Sequence, residues 1–254
     1  MNFLELFNKS RLIGAHRGAN TMRPENTLAA MKASLGRCDF IEIDVQLSSD
    51  GHCVIIHDDT LERTTNISEF DIYKNRKPYL VSDFTLDELK KLDYGSWFNK
   101  EYEPLLRLCD ALEFVKRNNL HVNVEIKDMS GSFSDIDVVS HVIKDIQNLH
   151  VQNRVLISSF RHEYLLTCKK ILPKIATAAL VEIEHPSNLV EYLKSLHVDV
   201  YNMDDEIVDE AIVKLLREEG FFVNVYTVND MLRADELFDM GVNGIFSDVL
   251  NKEK

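Results

Sequence analysis

The feature that most restricts this chain is a recurrence. Short apolar stretches alternate with longer stretches of helical periodicity from one end to the other. The spacing predicts strands at Leu12–His16, Phe40–Val45, Val122–Ile126, Val155–Ser158, Ala176–Leu180, Val198–Asn202, Phe222–Thr227 and Gly244–Ser247. Helices are expected near Asn26–Leu35, Leu108–Asn118, Val138–Asn148, Glu163–Ile171, Ser187–Leu196, Asp209–Glu219 and Met231–Met240. Strands separated by helices pair in parallel, and eight such units point to an α/β fold closed as a (β/α)8 TIM barrel. A doubly wound open sheet is the alternative. Against it, the first turn, Gly14-Ala15-His16-Arg17-Gly18-Ala19, lacks the G-x-G-x-x-G pattern of dinucleotide-binding sheets. The 254 residues, 45% of them hydrophobic, suffice for one such domain.

One stretch breaks the rhythm. About sixty residues separate the second strand from its helix, and structureless loops of that length are uncommon and usually functional. We expect a single domain over residues 1–254 with a small subdomain, approximately residues 58–103, inserted over one end of the barrel. Its aromatics Phe84, Tyr94, Trp97 and Phe98 either wall a cleft there or form the segment's own core.

The polar residues are distributed unevenly. Charged side chains fall late in the strands: His16 and Arg17 after the first, Glu42 and Asp44 in the second, Glu125 and Lys127 in the third. In a barrel these ends meet on one face, where barrel enzymes build their sites. Asn229 and Asp248 are explained by wet strand ends alone. Glu42, Asp44, Glu125 and Lys127 are not, because they sit inside the alternating pattern, and charges are rarely buried unless paired or bound to metal. Period-2 spacing gives Glu125 and Lys127 one face of their strand, as it does Glu42 and Asp44, so three carboxylates can converge from two neighbouring strands. Converging carboxylates need a cation among them, and an all-oxygen donor set suits a hard divalent ion, Mg2+ or Ca2+. A structural Lys–Glu network is the plainer alternative.

Beyond the second strand, an Asp50-Gly51 turn leads into Cys53-Val54-Ile55-Ile56 and then His57. If Asp50 and Gly51 form a two-residue turn, His57 lies opposite Asp44, on the face of Glu42. His16 arrives from the neighbouring strand. Two histidines beside a cation form an acid–base pair able to work near neutral pH, and with Arg17 and Lys127 to hold nonbridging oxygens the chemistry is that of phosphodiester cleavage. The remaining histidines read as structural.

The formal charge of −13, from 29 basic and 42 acidic side chains, repels nucleic acid and anionic lipid surfaces. Cys38, Cys53, Cys109 and Cys168 are widely spaced and read as buried thiols. The first residues lack a basic segment followed by a long apolar run, and no stretch reaches a membrane span, so a cytoplasmic protein without a stable membrane anchor is expected.

Taken together, His16-Arg17-Gly18, Pro24-Glu25-Asn26-Thr27, Glu42-Ile43-Asp44-Val45, Asp50-Gly51, His57-Asp58, Arg63-Thr64-Thr65-Asn66, Glu125-Ile126-Lys127, Ser158-Ser159-Phe160 and Gly241-Val242-Asn243-Gly244 resemble the glycerophosphodiester phosphodiesterases. The segments come in family order and span nearly the whole chain. The resemblance implies a TIM barrel with an insert after strand two. It implies one divalent cation on Glu42, Asp44 and Glu125, and acid–base histidines at His16 and His57. It further implies phosphate contacts from Arg17 and Lys127, with Ser158, Phe160 and Tyr226 as substrate-binding candidates. The implied reaction is hydrolysis of a glycerophosphodiester to glycerol 3-phosphate and an alcohol. A related barrel acting on lysophospholipids or sphingomyelin is the alternative. The chain departs from the family pattern at Ile67, Glu103, Tyr226 and Asn243, none of them in the carboxylate or histidine set.

Overall fold

The computed structural model describes residues 2–250. In chain order it contains β1 (Leu12–Ala15), α1 (Leu28–Ala33), β2 (Phe40–Leu47), β3 (Cys53–Ile55), α2 (Leu86–Leu89), α3 (Ser96–Asn99), α4 (Leu108–Arg117), β4 (Val122–Ile126), α5 (Asp135–Asn148), β5 (Val155–Ser159), α6 (His162–Ile171), β6 (Ala176–Val181), α7 (Leu189–Leu196), β7 (Val200–Asp204), α8 (Glu210–Glu218), β8 (Phe222–Tyr226), α9 (Met231–Met240) and β9 (Gly244–Ser247). Eight of the strands are parallel, and the pairing of β1 with both β9 and β2 closes them into the expected (β/α)8 barrel. The eight expected strands are all present, with ends displaced by a few residues at most.

Strand alternation separates two cores. Ile41, Ile43 and Val45 of β2 face outward and pack with the helices in the larger apolar cluster. Leu12, Phe40, Leu156, Ala178, Val200 and Phe246 face inward and fill the lower barrel. A short 3-10 helix, Phe3–Asn8, closes the bottom. Phe3 meets Phe40 edge-on at 5.5 Å, and Phe7 stacks on Phe222 at 4.4 Å, both favourable aromatic geometries. No helix among the described residues is long and apolar enough to cross a membrane.

β2 outlasts its neighbour. Phe40 and Ile41 sit in register on β1, while Val45–Leu47, beyond the end of β1, pair with β3 in an antiparallel hairpin. Residues 54–94 that follow carry a separate cluster of buried side chains, among them Val54, Ile56, Leu61, Ile67, Tyr79, Phe84 and Tyr94. Phe84 and Tyr94 therefore belong to this segment's own core, whereas Trp97 and Phe98 pack edge-on against each other and remain partly exposed.

Gly14 of β1 is needed for the lower core. A Cβ there would lie 2.4 Å from the ring of Phe40, which is fully buried and held between Phe3 and Phe246. Gly14→Ala should therefore destabilise the fold by about 1–3 kcal/mol, the usual range for overpacking. It should cost measurably less in a Phe40→Leu background, as read by urea denaturation. Equal losses in the two backgrounds would mean the ring is not what the glycine makes room for.

Candidate functional site

The site lies at the C-terminal mouth of the barrel. β2 and β4 are direct neighbours, with Glu42 opposite Asn123 and Asp44 opposite Glu125. Glu42, Asp44 and Glu125 thereby turn to the inside, where one oxygen from each lies within 4.8 Å of the others. Glu42 and Asp44 are almost inaccessible, at 3% and 1%.

Several groups hold this cluster. The backbone N–H of Arg17 donates to Glu42 Oε2 at 2.7 Å. Arg17 sits in the left-handed region at φ 54°, an uncommon conformation for a non-glycine residue. Asn26, at φ 58°, donates from Nδ2 to Asp44 Oδ2 at 2.8 Å and accepts the Asp44 N–H at 3.2 Å. Asparagine tolerates that backbone well. Lys127 donates to Glu125 Oε1 at 2.7 Å and lies 3.7 Å from Asp44, while the Arg17 guanidinium lies 3.5 Å from Asp44.

The electrostatics are unequal across the three acids. Burial, and then the charges of Asp44 and Glu125, push the Glu42 carboxyl well above its ordinary value. Burial and Asp44 also raise Glu125, against the opposing pull of Lys127. For Asp44 burial works upward too, but Lys127, Arg17 and His57 outweigh it and hold the group below the ordinary carboxylate value. Glu42 Oε1 is buried and has no hydrogen-bond partner. A crowded, all-oxygen set with one unpartnered buried oxygen is the environment a hard divalent cation satisfies, so these residues fit such an ion.

Two histidines flank the carboxylates, each with Nδ1 on an acid. His16 Nδ1 lies 2.8 Å from Asp248 Oδ1, and that carboxylate also accepts from Asn20 and, at 2.9 Å, from Asn229. Burial would raise Asp248, but these hydrogen bonds and the charge of His16 hold it far below the usual range. His57 Nδ1 lies 2.7 Å from Asp58 Oδ1. With both acids ionised, each Nδ1 carries a proton and each Nε2 is left for chemistry.

The hairpin differs from the expected register. Val45 pairs with Ile55 and Leu47 with Cys53, one residue away from a two-residue turn, and Gly51 takes φ 80° in the longer loop. Strict alternation would then turn His57 outward. β3 ends at Ile55, however, and the chain leaves the pleat, so His57 still comes within electrostatic reach of Asp44 and Glu125.

The structure brings His16, Glu42, Glu125 and Tyr226 around one cavity of about 30 Å³, with Asn123, Leu180 and Phe246 completing its wall. Tyr226 is fixed by a 2.6 Å hydrogen bond to the Val181 carbonyl, and Phe160, partly exposed, meets its ring edge-on at 6.0 Å. Ser158 is fully buried and accepts from Asn123 Nδ2 at 2.8 Å, so its hydroxyl is occupied inside the barrel.

Sequence reasoning set Asp248 and Asn229 aside as strand-end polarity, yet both orient His16. It also assigned no role to Glu25, Asn26 or Arg63, although all three stand in the quoted motifs. Glu25 is paired to Arg17 at 3.0 Å and to Arg63 at 2.7 Å. An asparagine in the turn after β1 is the signal that could have found Asn26, since asparagine is among the residues that take a φ near 58° most readily.

Comparison with known proteins places this geometry among related molecules. Residues 16–252 match the model of the glycerophosphoryl diester phosphodiesterase family. A glycerophosphodiester phosphodiesterase from Caldanaerobacter subterraneus subsp. tengcongensis is 36% identical over 245 residues, which cover 93% of each chain. One from Bacillus altitudinis is 34% identical, covering 93% of this chain and 94% of that protein. A phosphodiesterase from Oleispira antarctica, solved in complex with the product sn-glycerol-3-phosphate, superposes with a TM-score of 0.87 at 31% identity. That superposition covers 98% of this chain and 97% of the other.

Asp58 gives the site a signature in acid. Partial burial works to raise its carboxyl, but hydrogen bonds from Arg63 and His57 bring it from 3.8 down to about 2. A depressed folded-state value contributes stability that is complete above about pH 4 and is lost as pH falls through about 2. Asp58→Asn should therefore flatten the fall of Tm between pH 4 and pH 2 relative to the parent chain. An unchanged slope would show that the Asp58 carboxyl binds its proton equally well folded and unfolded.

Proposed function

This chain belongs to the glycerophosphoryl diester phosphodiesterase family, and on that premise we propose that it hydrolyses small glycerophosphodiesters to glycerol 3-phosphate and an alcohol. The observation that carries the reading is the pair of histidines, each backed at Nδ1 by a carboxylate, at a largely buried acidic cluster with Arg17 and Lys127 at its edge. We assign His16 and His57 to proton transfer. One takes the proton of the attacking glycerol hydroxyl at Nε2, and the other, protonated at Nε2, gives a proton to the alcohol oxygen as its bond to phosphorus breaks; water then opens the resulting cyclic glycerol phosphate with the two roles exchanged, giving glycerol 3-phosphate. Asp58 and Asp248 fix the two rings and stabilise the imidazolium form. Arg17 and Lys127 bind the nonbridging phosphoryl oxygens and offset the charge that grows on them in the transition state.

Glu42, Asp44 and Glu125 would hold one divalent cation, Mg2+ or Ca2+. Such an ion supplies a positive charge that binds and polarises a phosphoryl oxygen. Tyr226 and Phe160 form the wall that the leaving alcohol passes.

A second reading has one observation in its favour. On the same face Phe160 after β5, Ile183 after β6 and, in the first turn of α9, Met231 and Leu232 are exposed. An apolar rim of this kind suits an alcohol bearing an acyl chain, as in a lysophospholipid.

The test is turnover by the purified protein on glycerophosphocholine, glycerophosphoethanolamine and lysophosphatidylcholine. The two water-soluble diesters should be cleaved faster than the lysolipid; the opposite order would favour the second reading. His16→Ala and His57→Ala should each lower kcat by roughly 10²–10⁴-fold with circular dichroism unchanged. A chelator should silence the enzyme and added Mg2+ or Ca2+ restore it. Turnover that survives exhaustive chelation would remove the cation from the account, and near-normal kcat in either folded histidine variant would remove that histidine.

A further inference from the structure

Arg63 lies in the segment between β3 and α2, with its side chain 44% exposed, and touches none of the groups assigned to proton transfer or phosphate binding. Its guanidinium nonetheless makes four charged hydrogen bonds. Nε and Nη2 donate to Asp58 Oδ2 and Oδ1 at 2.5 and 2.8 Å. Nη1 and Nη2 donate to Glu25 Oε2 and Oε1 at 2.8 and 2.7 Å. One planar fork thus grips two carboxylates, each through both oxygens.

Each carboxylate passes the constraint on. Asp58 Oδ1 also takes His57 Nδ1 at 2.7 Å. Glu25 Oε1 also takes Arg17 Nη1 at 3.0 Å, and the Glu25 side chain is only 12% exposed. Single exposed ion pairs are worth little, but bidentate arginine–carboxylate pairs joined in a network are the exception. The three contacting residues come from different places: Glu25 from the loop between β1 and α1, Asp58 from the end of the hairpin, Arg63 from the inserted segment.

We propose that Arg63 is a positioning residue that holds His57 and Arg17 in one frame. Through Asp58 it sets the plane of the imidazole, and through Glu25 it sets the guanidinium of Arg17. Without it, Asp58 keeps His57 as its remaining partner and is free to turn about its own χ angles. Glu25 is then left with Arg17, whose guanidinium is shared with Asp44 at 3.5 Å. Both reacting partners lose their fixed aim, and misplacements of about 1 Å can cost on the order of 10²-fold in rate. This inference rests on the reading above, in which His57 moves a proton and Arg17 binds phosphate.

The experiment compares R63M and R63K with the parent, alone and combined with Asp58→Asn and Glu25→Gln. Three quantities are read: kcat on glycerophosphocholine, the Kd of sn-glycerol 3-phosphate by calorimetry, and Tm. R63M should lower kcat by roughly 10- to 100-fold, within the range set by misorientation, and weaken product binding several-fold. R63K should recover little of either, because one ammonium cannot serve two carboxylates in a fork. Adding R63M to Asp58→Asn should lower kcat little further, and adding it to Glu25→Gln should weaken Kd little further. If R63M does not fold, R63K, which keeps the charge, carries the same comparisons. The proposal is overturned if a folded variant keeps parental kcat and Kd while only Tm falls. Full recovery in R63K, or losses that add in both backgrounds, would overturn it equally. Normal turnover in His57→Ala, or normal product binding in Arg17→Ala, would instead bring down the underlying reading.

Discussion

Like charges do not share a dry space willingly, and this molecule brings three carboxylates, two of them buried and the third nearly so, within one ion's reach of each other. Most of the mouth of the barrel is arranged around that fact. Lys127 and Arg17 bring positive charge to Asp44, Asn26 pins its second oxygen, and the Arg17 backbone is bent into a left-handed conformation that points its N–H at Glu42. These groups are enough to keep Asp44 low but leave Glu42 raised, with one oxygen unanswered. The imbalance marks where the protein's own groups stop and where added positive charge has most to offer.

The barrel was legible because its signal is periodic. Ile41, Ile43 and Val45 alternate with Glu42 and Asp44, and the same period fixes which residues meet the helices and which meet the interior. The hairpin was less so. An Asp-Gly pair suggests the shortest turn, but Gly51 serves a longer one, and a single residue of slip inverts a face. His57 reaches the carboxylates by leaving the strand, which no alternation rule describes.

The residues that orient the histidines were hidden for a different reason. His16 and Asp248 are 232 positions apart, and Glu25 and Arg63 are 38 apart. Nothing local in the sequence links them; only closure of the barrel and docking of the inserted segment do. The aromatics of that segment were ambiguous because irregular chain carries no period, so Phe84 and Tyr94 could not be sorted between a cleft wall and a private core.

The aromatic stopper at the barrel floor has a consequence for how such a molecule can change. Phe3 and Phe7 seal the end opposite the chemistry, and the inward side chains of the lower strands lean on them. Cohesion is thereby concentrated at one pole and reactivity at the other. The upper rim carrying Phe160, Ile183 and, in the first turn of α9, Leu232 is correspondingly free to change. New selectivity can be grafted onto the rim while the foundation is inherited unaltered.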